Sequence, residues 1–308
     1  MEHWRRYPRV FWTVLSAPTF WLAVFFIIPL TLIWVYSFGE KRGIVDIEIT
    51  GTLANYIRAF EPVYLQIFTK SLWIAIVSTF ICLAVGLPVA LTIVYAPKRW
   101  KPVLLMLVIL PFWTNLLIRT YALIAVLRTR GYVNFGLEWL HDQALWLFQL
   151  VGMGPIGIQL LGERFEPLEM LYNNGAVIIG LVYVHLPFMV LPLYAALERL
   201  DRSYLEASLD LGAGQLRTFF LIIVPLAMPG IVSGLIITFI PVLGSFLTPD
   251  LLGGPDSTMI ANIIERQFKS ANDWPFGAAL SFLLMYLTFG ALALRAYLTR
   301  GKGGGLEA

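Results

Sequence analysis

The acidic, hydroxyl and glycine residues best able to form a recognition site lie together in one half-polar stretch, "SYLEASLDLGAGQLRTFFLIIVP" at 203–225. The first half carries Glu206 and Asp210, whereas the second half carries only Arg217 as a charge. Helices that rest on a membrane surface favour basic polar faces. This acidic stretch is therefore better suited to contact a protein partner, although an amphipathic connector on the lipid interface stays open as an alternative.

Other residue types that carry chemistry are sparse in this chain. The one cysteine, Cys82, excludes an intrachain disulfide and a cysteine metal site. The sequence has no Gly-x-x-x-x-Gly-Lys-Ser/Thr phosphate loop, and "RGKGGG" at 300–305 stands in the wrong context for one. We therefore expect no catalytic residue, no metal site and no cofactor in this chain. A net charge of +3 is too small to suggest nucleic-acid binding.

Two short helices are predicted to present the half-polar stretch. Ser203 and Glu206 have the spacing of a capping box, which predicts where the first helix begins. Gly212 permits the left-handed cap that ends this helix, and Pro225 is predicted to close the second helix. Apolar residues recur at helical intervals on both sides of the glycines, namely Leu205, Leu209, Leu216, Phe219, Phe220 and Ile223.

The composition is that of an all-α integral membrane protein. Of 308 residues, 58% are hydrophobic and only 13% are charged, about half the charged fraction of a typical soluble domain. The mean hydropathy is +0.76. A membrane helix needs about 20 apolar residues, and the runs that qualify predict six spans: 18–38, 71–95, 103–118 (continuing past Arg119 to 127), 175–197, 226–248 and 274–294.

Two apolar segments need a separate interpretation. The uncharged run 10–38 is far longer than a signal-peptide core of roughly 7–15 residues, so we expect a retained first span. Gln143 to Gly162 is long enough to be a seventh span, but its centre is "GMGPIG". Such a centre would break a lipid-exposed helix. We predict instead two short halves that lie at the interface or fold back.

The basic residues predict the orientation of the six spans. The segments 1–17, 96–102, 198–225 and 295–308 carry 12 basic and 6 acidic residues, whereas 39–70, 128–174 and 249–273 carry 9 and 13. Both termini are therefore predicted to be cytoplasmic. The expected domains are an N-terminal tail (1–17), a transmembrane domain (18–299) and a flexible C-terminal tail (300–308). The transmembrane domain includes a cytoplasmic loop (198–225) and an extended external loop (128–174).

The cytoplasmic loop resembles that of bacterial ABC-importer permeases. Their motif is Glu-Ala-Ala, three residues, Gly, nine residues, Ile, one residue, Leu and Pro, and the matching positions here are Glu206, Ala207, Ser208, Gly212, Ile222, Val224 and Pro225. Ser208 replaces an alanine and Val224 a leucine. The resemblance implies a type I importer permease fold. It also implies that the first helix of the loop, with Asp210 among its carboxylates, docks in a groove of a separate ATPase.

Further stretches resemble the spermidine/putrescine importer permeases, specifically the first of their two permease subunits. They are "LPFWTNLLIRTYA" (110–122), "YVHLPFMVLPLYAALERLD" (183–201), "DLLGGPDSTMI" (250–260) and "DWPFGAALS" (273–281). The segment 142–174 departs from this family by its greater length. The resemblance implies import of spermidine or putrescine across the bacterial inner membrane. A permease for another small solute, an ion-coupled secondary transporter and a membrane scaffold remain as alternatives.

The same resemblance implies a set of partners. These are a second permease subunit in a heterodimer, two copies of an ATP-binding subunit that use ATP and Mg²⁺, a periplasmic polyamine-binding protein and membrane lipid. The chain itself is expected not to be an enzyme.

A polyamine is a flexible polycation, so its route should offer carboxylates, aromatic faces and carbonyl oxygens. The candidates are Trp113, Asn115, Tyr183, Phe246, Asp250 and Tyr286. Membrane aromatics are also common packing groups and interfacial anchors. The acidic residues on the external side include Asp256 and Asp273. They would also be expected as a solvated rim in a protein that binds no polyamine.

Two polar residues inside the spans are expected to be structural. Arg119 is a permanent charge well within a span, and a cation in the path of a polycation would repel it. We expect it to pair with Asn115, a backbone carbonyl or the second permease. His185 is expected to be a hydrogen-bonded interior histidine rather than a proton relay.

Overall fold

A computed structural model describes residues 8–43, 46–162 and 164–300 of the chain. Within these residues the fold is helical apart from one short β-hairpin. Residues 1–7 of the predicted N-terminal tail, with Arg5 and Arg6, lie outside the described residues. Residues 301–308 of the predicted C-terminal tail, with Lys302, also lie outside them.

The first hundred residues form two long apolar helical segments joined by small elements. In chain order the elements are α1 (Pro8–Leu22), a π-helical turn (Ala23–Ile27), α2 (Ile28–Tyr36), β1 (Glu40–Arg42), β2 (Asp46–Glu48), α3 (Ala54–Ala59) and α4 (Pro62–Tyr95). The two strands are antiparallel, with Lys41 opposite Ile47.

Residues 101–198 contain a sharp bend and a helical hairpin. The elements are α5 (Lys101–Ile109), a 3₁₀ turn (Leu110–Trp113), α6 (Leu116–Leu127), α7 (Tyr132–Leu150), α8 (Gly154–Leu161) and α9 (Asn174–Glu198). The α7 and α8 helices pack on each other. Gly152, at φ +76°, lies between them.

The predicted break within Gln143–Gly162 is therefore present. Its first half is not a separate short helix, because it belongs to the 19-residue α7.

The remaining residues form the half-polar loop and the last apolar helices. The elements are α10 (Arg202–Asp210), α11 (Gln215–Thr218), a second π-helical turn (Phe219–Ile223), α12 (Val224–Leu226), α13 (Met228–Leu243), α14 (Leu247–Leu252), a 3₁₀ turn (Pro255–Ser257), α15 (Ile260–Lys269) and α16 (Trp274–Arg300).

Three described helical segments are long and apolar enough to cross a membrane, namely Phe11–Tyr36, Pro62–Tyr95 and Asn174–Glu198. The number rises to five if each of two bent pairs is counted as one span. These pairs bend by 96° between Trp113 and Leu116 and by 67° between Leu226 and Met228. The apolar part of α16, Trp274–Gly290, is shorter.

Each π-helical turn ends two residues before a proline. The turns end at Ile27 and Ile223, and the prolines are Pro29 and Pro225. A proline lacks the N–H of the helical ladder, and its ring crowds the carbonyl four residues earlier. A π turn widens the helix at that carbonyl. The prolines thus account for the position of both turns.

The chain divides into two compact units, 67–262 and a second one formed by 1–66 with 263–308. The core of the first unit includes buried residues of α4, α9 and α13, such as Ile93, Met189 and Ile231. The α13 helix is the main neighbour of α9.

In the second unit, α16 packs against α2 and α3. Arg58 Nη1 of α3 forms an ion pair with Asp273 Oδ2 at 2.8 Å. The guanidinium carbon of Arg58 lies 4.0 Å from the centre of the Phe276 ring.

Candidate functional site

The loop at 198–225 begins with a capped helix, but the cap differs from the predicted one. The prediction that Ser203 caps α10 is wrong. The N-cap is Asp201, whose Oδ1 accepts a hydrogen bond from the Ser203 amide at 3.0 Å. This bond lowers the pKa of the Asp201 carboxyl group. The signal was present in the sequence, because aspartate is among the preferred N-cap residues.

The end of α10 is a Schellman motif built around Gly212. The amide of Gly212 donates to the Leu209 carbonyl at 2.9 Å, and the amide of Ala213 donates to the Ser208 carbonyl at 3.1 Å. Gly212 has φ +80°, which is the left-handed conformation predicted for it. The α11 helix begins three residues later, at Gln215.

The two helices of the loop are tied together by a pair of buried hydroxyl groups. Ser208 Oγ and Thr218 Oγ1 lie 2.8 Å apart, and each residue is only 5% exposed. Ser208 is the residue that replaces the second alanine of the importer motif. Its partner Thr218 was not identified from the sequence, because only the folded loop brings the two residues together.

The apolar residues of the loop divide into two sets. Leu205, Phe219 and Ile223 pack into the core of the 67–262 unit. Leu209, Leu216 and Phe220 are exposed, as is Leu211 at 89%. Exposed apolar groups that lie outside the predicted spans are available for contact with a partner. The loop therefore carries an inner apolar side that anchors it and an outer set of apolar groups open to contact.

The predicted coupling residues occupy different environments. Glu206, Ala207 and Asp210 are exposed on α10, whereas Ile222 is half-buried and Pro225 is exposed. The prediction that Pro225 closes the second helix is not accurate in detail. Helical structure continues to Leu226, and the direction changes at Ala227.

Two of the predicted pathway residues, Trp113 and Asn115, flank the 96° bend between α5 and α6. Trp113 is strongly exposed. Asn115 is the N-cap of α6, because its Oδ1 accepts from the Leu117 amide at 2.8 Å. The bend thus displays an aromatic ring beside a capped helix end.

The other pathway candidates lie on separate elements. Tyr183 of α9 lines an apolar cavity of about 390 Å³ together with Pro111 and Pro187. Phe246, which immediately precedes the short α14 segment, and Asp250 within that segment are both exposed. The α14 segment packs against α6 and α9. Tyr286 belongs to the other unit, where its hydroxyl accepts from Trp34 Nε1 at 2.7 Å.

Arg119 lies on α6 and is 8% exposed. Its guanidinium carbon lies 5.9 Å from the centre of the Phe112 ring. Among the described residues, Arg119 Nε and Nη1 have no hydrogen-bond partner. The Asn115 oxygen already accepts from the Leu117 amide. His185 is buried, and its Nδ1 lies 2.8 Å from the Leu181 carbonyl, which agrees with the predicted structural role.

Two of the predicted external acids have structural contacts. The carboxylate of Asp273 pairs with Arg58. The backbone carbonyl of Asp256 accepts from Lys70 Nζ at 2.7 Å. Asp273 is thus part of the packing of its own unit.

Sequence comparison finds relatives over most of the chain. The spermidine/putrescine transport system permease protein PotB of Escherichia coli K12 is 41% identical over 264 residues, which are 86% of this chain and 88% of the relative. The protein with the same description from Haemophilus influenzae is 38% identical over 282 residues, which are 92% and 91% of the two chains.

A solved structure shares the fold at low identity. It is a bacterial alginate ABC transporter in complex with an alginate pentasaccharide-bound periplasmic protein. The match has a TM-score of 0.73 at 14% identity and covers 99% of each chain. Residues 6–301 match the sequence profile of the family described as "Binding-protein-dependent transport system inner membrane component". The chain therefore belongs to the family of inner membrane components of binding-protein-dependent transport systems.

Proposed function

We propose that the chain is a permease subunit of an ATP-driven importer that carries spermidine or putrescine across the inner membrane. The observation that carries this proposal is the 41% identity, over 86% of the chain, to a spermidine/putrescine permease. The fold alone does not select a polycation, because a transporter of the acidic polysaccharide alginate has the same fold. The solute therefore rests on sequence similarity, and the fold supports the class of transporter.

Coupling to ATP hydrolysis is assigned to the exposed side of the cytoplasmic loop. Glu206, Ala207 and Asp210 offer two carboxylates and a small residue on α10, and the outer apolar groups of the loop lie close by. An apolar centre surrounded by a polar rim is typical of protein interfaces. In this proposal α10 docks in a groove of the ATPase, and Ser208, Gly212, Ile222 and Pro225 hold the loop in shape.

The remainder of the importer is proposed from the family. Six spans with both termini in the cytoplasm place the 198–225 loop on the side where ATP is available. A second permease would complete the path, two copies of an ATP-binding subunit would hydrolyse ATP with Mg²⁺, and a periplasmic protein would deliver the polyamine. No cofactor is assigned to this chain.

The polyamine path is proposed to pass the exposed aromatic and acidic groups of the bend and of α14. Trp113 and Phe246 offer ring faces, and Asp250 offers a carboxylate. Asn115, Tyr183 and Tyr286 stay as further candidates, although the polar groups of Asn115 and Tyr286 already form structural hydrogen bonds.

A test of this proposal is spermidine uptake by the complete importer reconstituted in vesicles with Gly212→Val in this subunit. Left-handed backbone costs a side-chain-bearing residue about 1–2 kcal/mol, and a β-branched residue suffers most. We expect the variant to assemble normally and uptake to fall by about tenfold.

The matched control is Gly214→Ala, since Gly214 has an ordinary φ of −69° and open space around its Cα. Uptake by this control should stay near the wild-type rate. Normal uptake with Gly212→Val would contradict the coupling role of the loop. Competition by a sugar or an anion, with none by putrescine, would contradict the polyamine assignment.

A further inference from the structure

The hydroxyl pair of Ser208 and Thr218 is the buried polar contact between α10 and α11. The two oxygens are 2.8 Å apart, although the residues are ten positions apart in the chain. Around them the loop is largely solvent-exposed, because Leu209, Asp210, Leu211 and Arg217 all lie on its outer surface. A loop with an open surface thus encloses one specific polar interaction.

A buried hydroxyl pair of this kind selects one arrangement of the two helices. A buried donor or acceptor that loses its partner keeps the full cost of its desolvation, whereas loss of both partners can be nearly neutral. Sliding or rotation of α10 on α11 would separate the hydroxyls and incur that cost. Apolar contacts alone are non-directional and would tolerate such a displacement.

The packing beneath α10 is incomplete, which increases the importance of the pair. A cavity of about 120 Å³ lies between the loop and the ends of α4 and α9. Leu205 of α10 and Ile223 of the π-helical turn line it, with the Lys101–Glu198 ion pair at its edge. Because side chains do not fill this partly open space, α10 has room to shift on this side.

We propose that the Ser208–Thr218 hydrogen bond is a positioning contact that stays closed while the loop moves. It carries displacements of α10 into α11, the π-helical turn and the bend at Ala227. The proposal rests on the coupling function proposed above. Ser208 stands where the importer motif has an alanine, which carries no hydroxyl, so the general form of the loop does not require this contact.

The test compares single and double substitutions in the reconstituted importer, with ATP hydrolysis and spermidine uptake measured on the same vesicles. Ser208→Ala and Thr218→Val each leave one buried hydroxyl without its partner. We expect each to lower the spermidine transported per ATP by about fivefold, the population effect of one hydrogen bond. The double variant should lose far less than the product of the two single effects.

The conservative variant Thr218→Ser retains the hydroxyl and should retain the transport ratio. Purification of the intact complex serves as a check on assembly for every variant. If both single variants keep the wild-type ratio, or if their effects simply multiply in the double variant, the positioning role is refuted. Gly212→Val distinguishes the positioning role of the hydroxyl pair from the coupling role of the loop. If the loop couples without the hydroxyl pair, the Ser208 and Thr218 variants keep the wild-type ratio, while Gly212→Val still lowers uptake.

A disulfide bond between positions 208 and 218 provides a second test. This test does not depend on a loss of folding stability in the variants. Ser208→Cys with Thr218→Cys replaces the hydroxyl pair by two thiols, and a mild oxidant would join them. The native Cys82 is buried. Since the contact is proposed to stay closed, the oxidised importer should transport spermidine at the rate of its reduced form. Loss of uptake on oxidation, restored by a reductant, would show that the pair must open and would overturn the proposal.

Discussion

Asp201 shows how a single side chain sets the start of α10. Its carboxylate is solvent-exposed and accepts hydrogen bonds from the amide and the side chain of Ser203, which lowers its pKa. A carboxyl group whose pKa is lowered by folding stabilises the folded state above its unfolded pKa. The stabilisation is lost as the pH falls through the folded pKa. At neutral pH the cap is therefore fully formed.

The change Asp201→Ala should loosen the first turn of α10, whereas Asp201→Asn should retain the cap, because asparagine caps helices about as well as aspartate. Hydrogen exchange of the amides at 203–205 is the measurement. We expect faster exchange in the alanine variant at pH 7 and exchange near the wild-type rate in the asparagine variant. On lowering the pH through the acidic range, only the wild type should lose protection through titration of residue 201. Equal protection in the alanine variant would show that the cap is dispensable.

The α9 and α13 helices pack closely at two glycines of α13, Gly230 and Gly234, which lie one turn apart. A Cβ on Gly234 would lie 2.8 Å from Met189 Sδ, and one on Gly230 would collide with Ala196. Small residues at this spacing let membrane helices approach closely. The contacts of Gly230 and Gly234 therefore make both residues sites of close helix packing.

Gly234→Leu should destabilise the chain by about 1–3 kcal/mol, because the added side chain must displace Met189 from a filled core. Thermal unfolding of the purified protein in detergent gives the measurement. Gly290→Leu is the matched control, since a Cβ at Gly290 meets no atom within 4 Å. Because leucine favours a helix more than glycine does, the control should keep the wild-type midpoint temperature or exceed it. A midpoint temperature that falls equally in both variants would mean that the loss does not come from the contact with Met189.

Considered over the whole chain, local patterns were readable from the sequence and long-range contacts were not. Gly212 and the helix–turn–helix of the loop follow from residues within one or two turns of each other. Two contacts depend on the folded arrangement and cannot be predicted from a local pattern. They are the Ser208–Thr218 hydrogen bond and the packing of Gly234 on Met189. The bend before α6 was also missed, because "PFWTN" sits inside an apolar run that reads as a straight span. Apolar periodicity reports burial, whereas direction changes depend on caps and extended residues such as Thr114.

The proposed orientation of the whole molecule rests on its charge partition, 12 basic residues on the predicted cytoplasmic side against 9 on the other. Because basic loops are retained in the cytoplasm, Lys98→Cys should be protected from a membrane-impermeant maleimide in intact spheroplasts, and Ser270→Cys should react. Both positions are exposed, and the native Cys82 is buried, so background labelling should be low. After permeabilisation both variants should label fully.

Labelling of Lys98→Cys but not Ser270→Cys in intact spheroplasts would show that the orientation is the reverse of the predicted one. The 198–225 loop would then lie on the side of the membrane opposite to the ATPase. Equal labelling of both would contradict the odd number of crossings predicted between them.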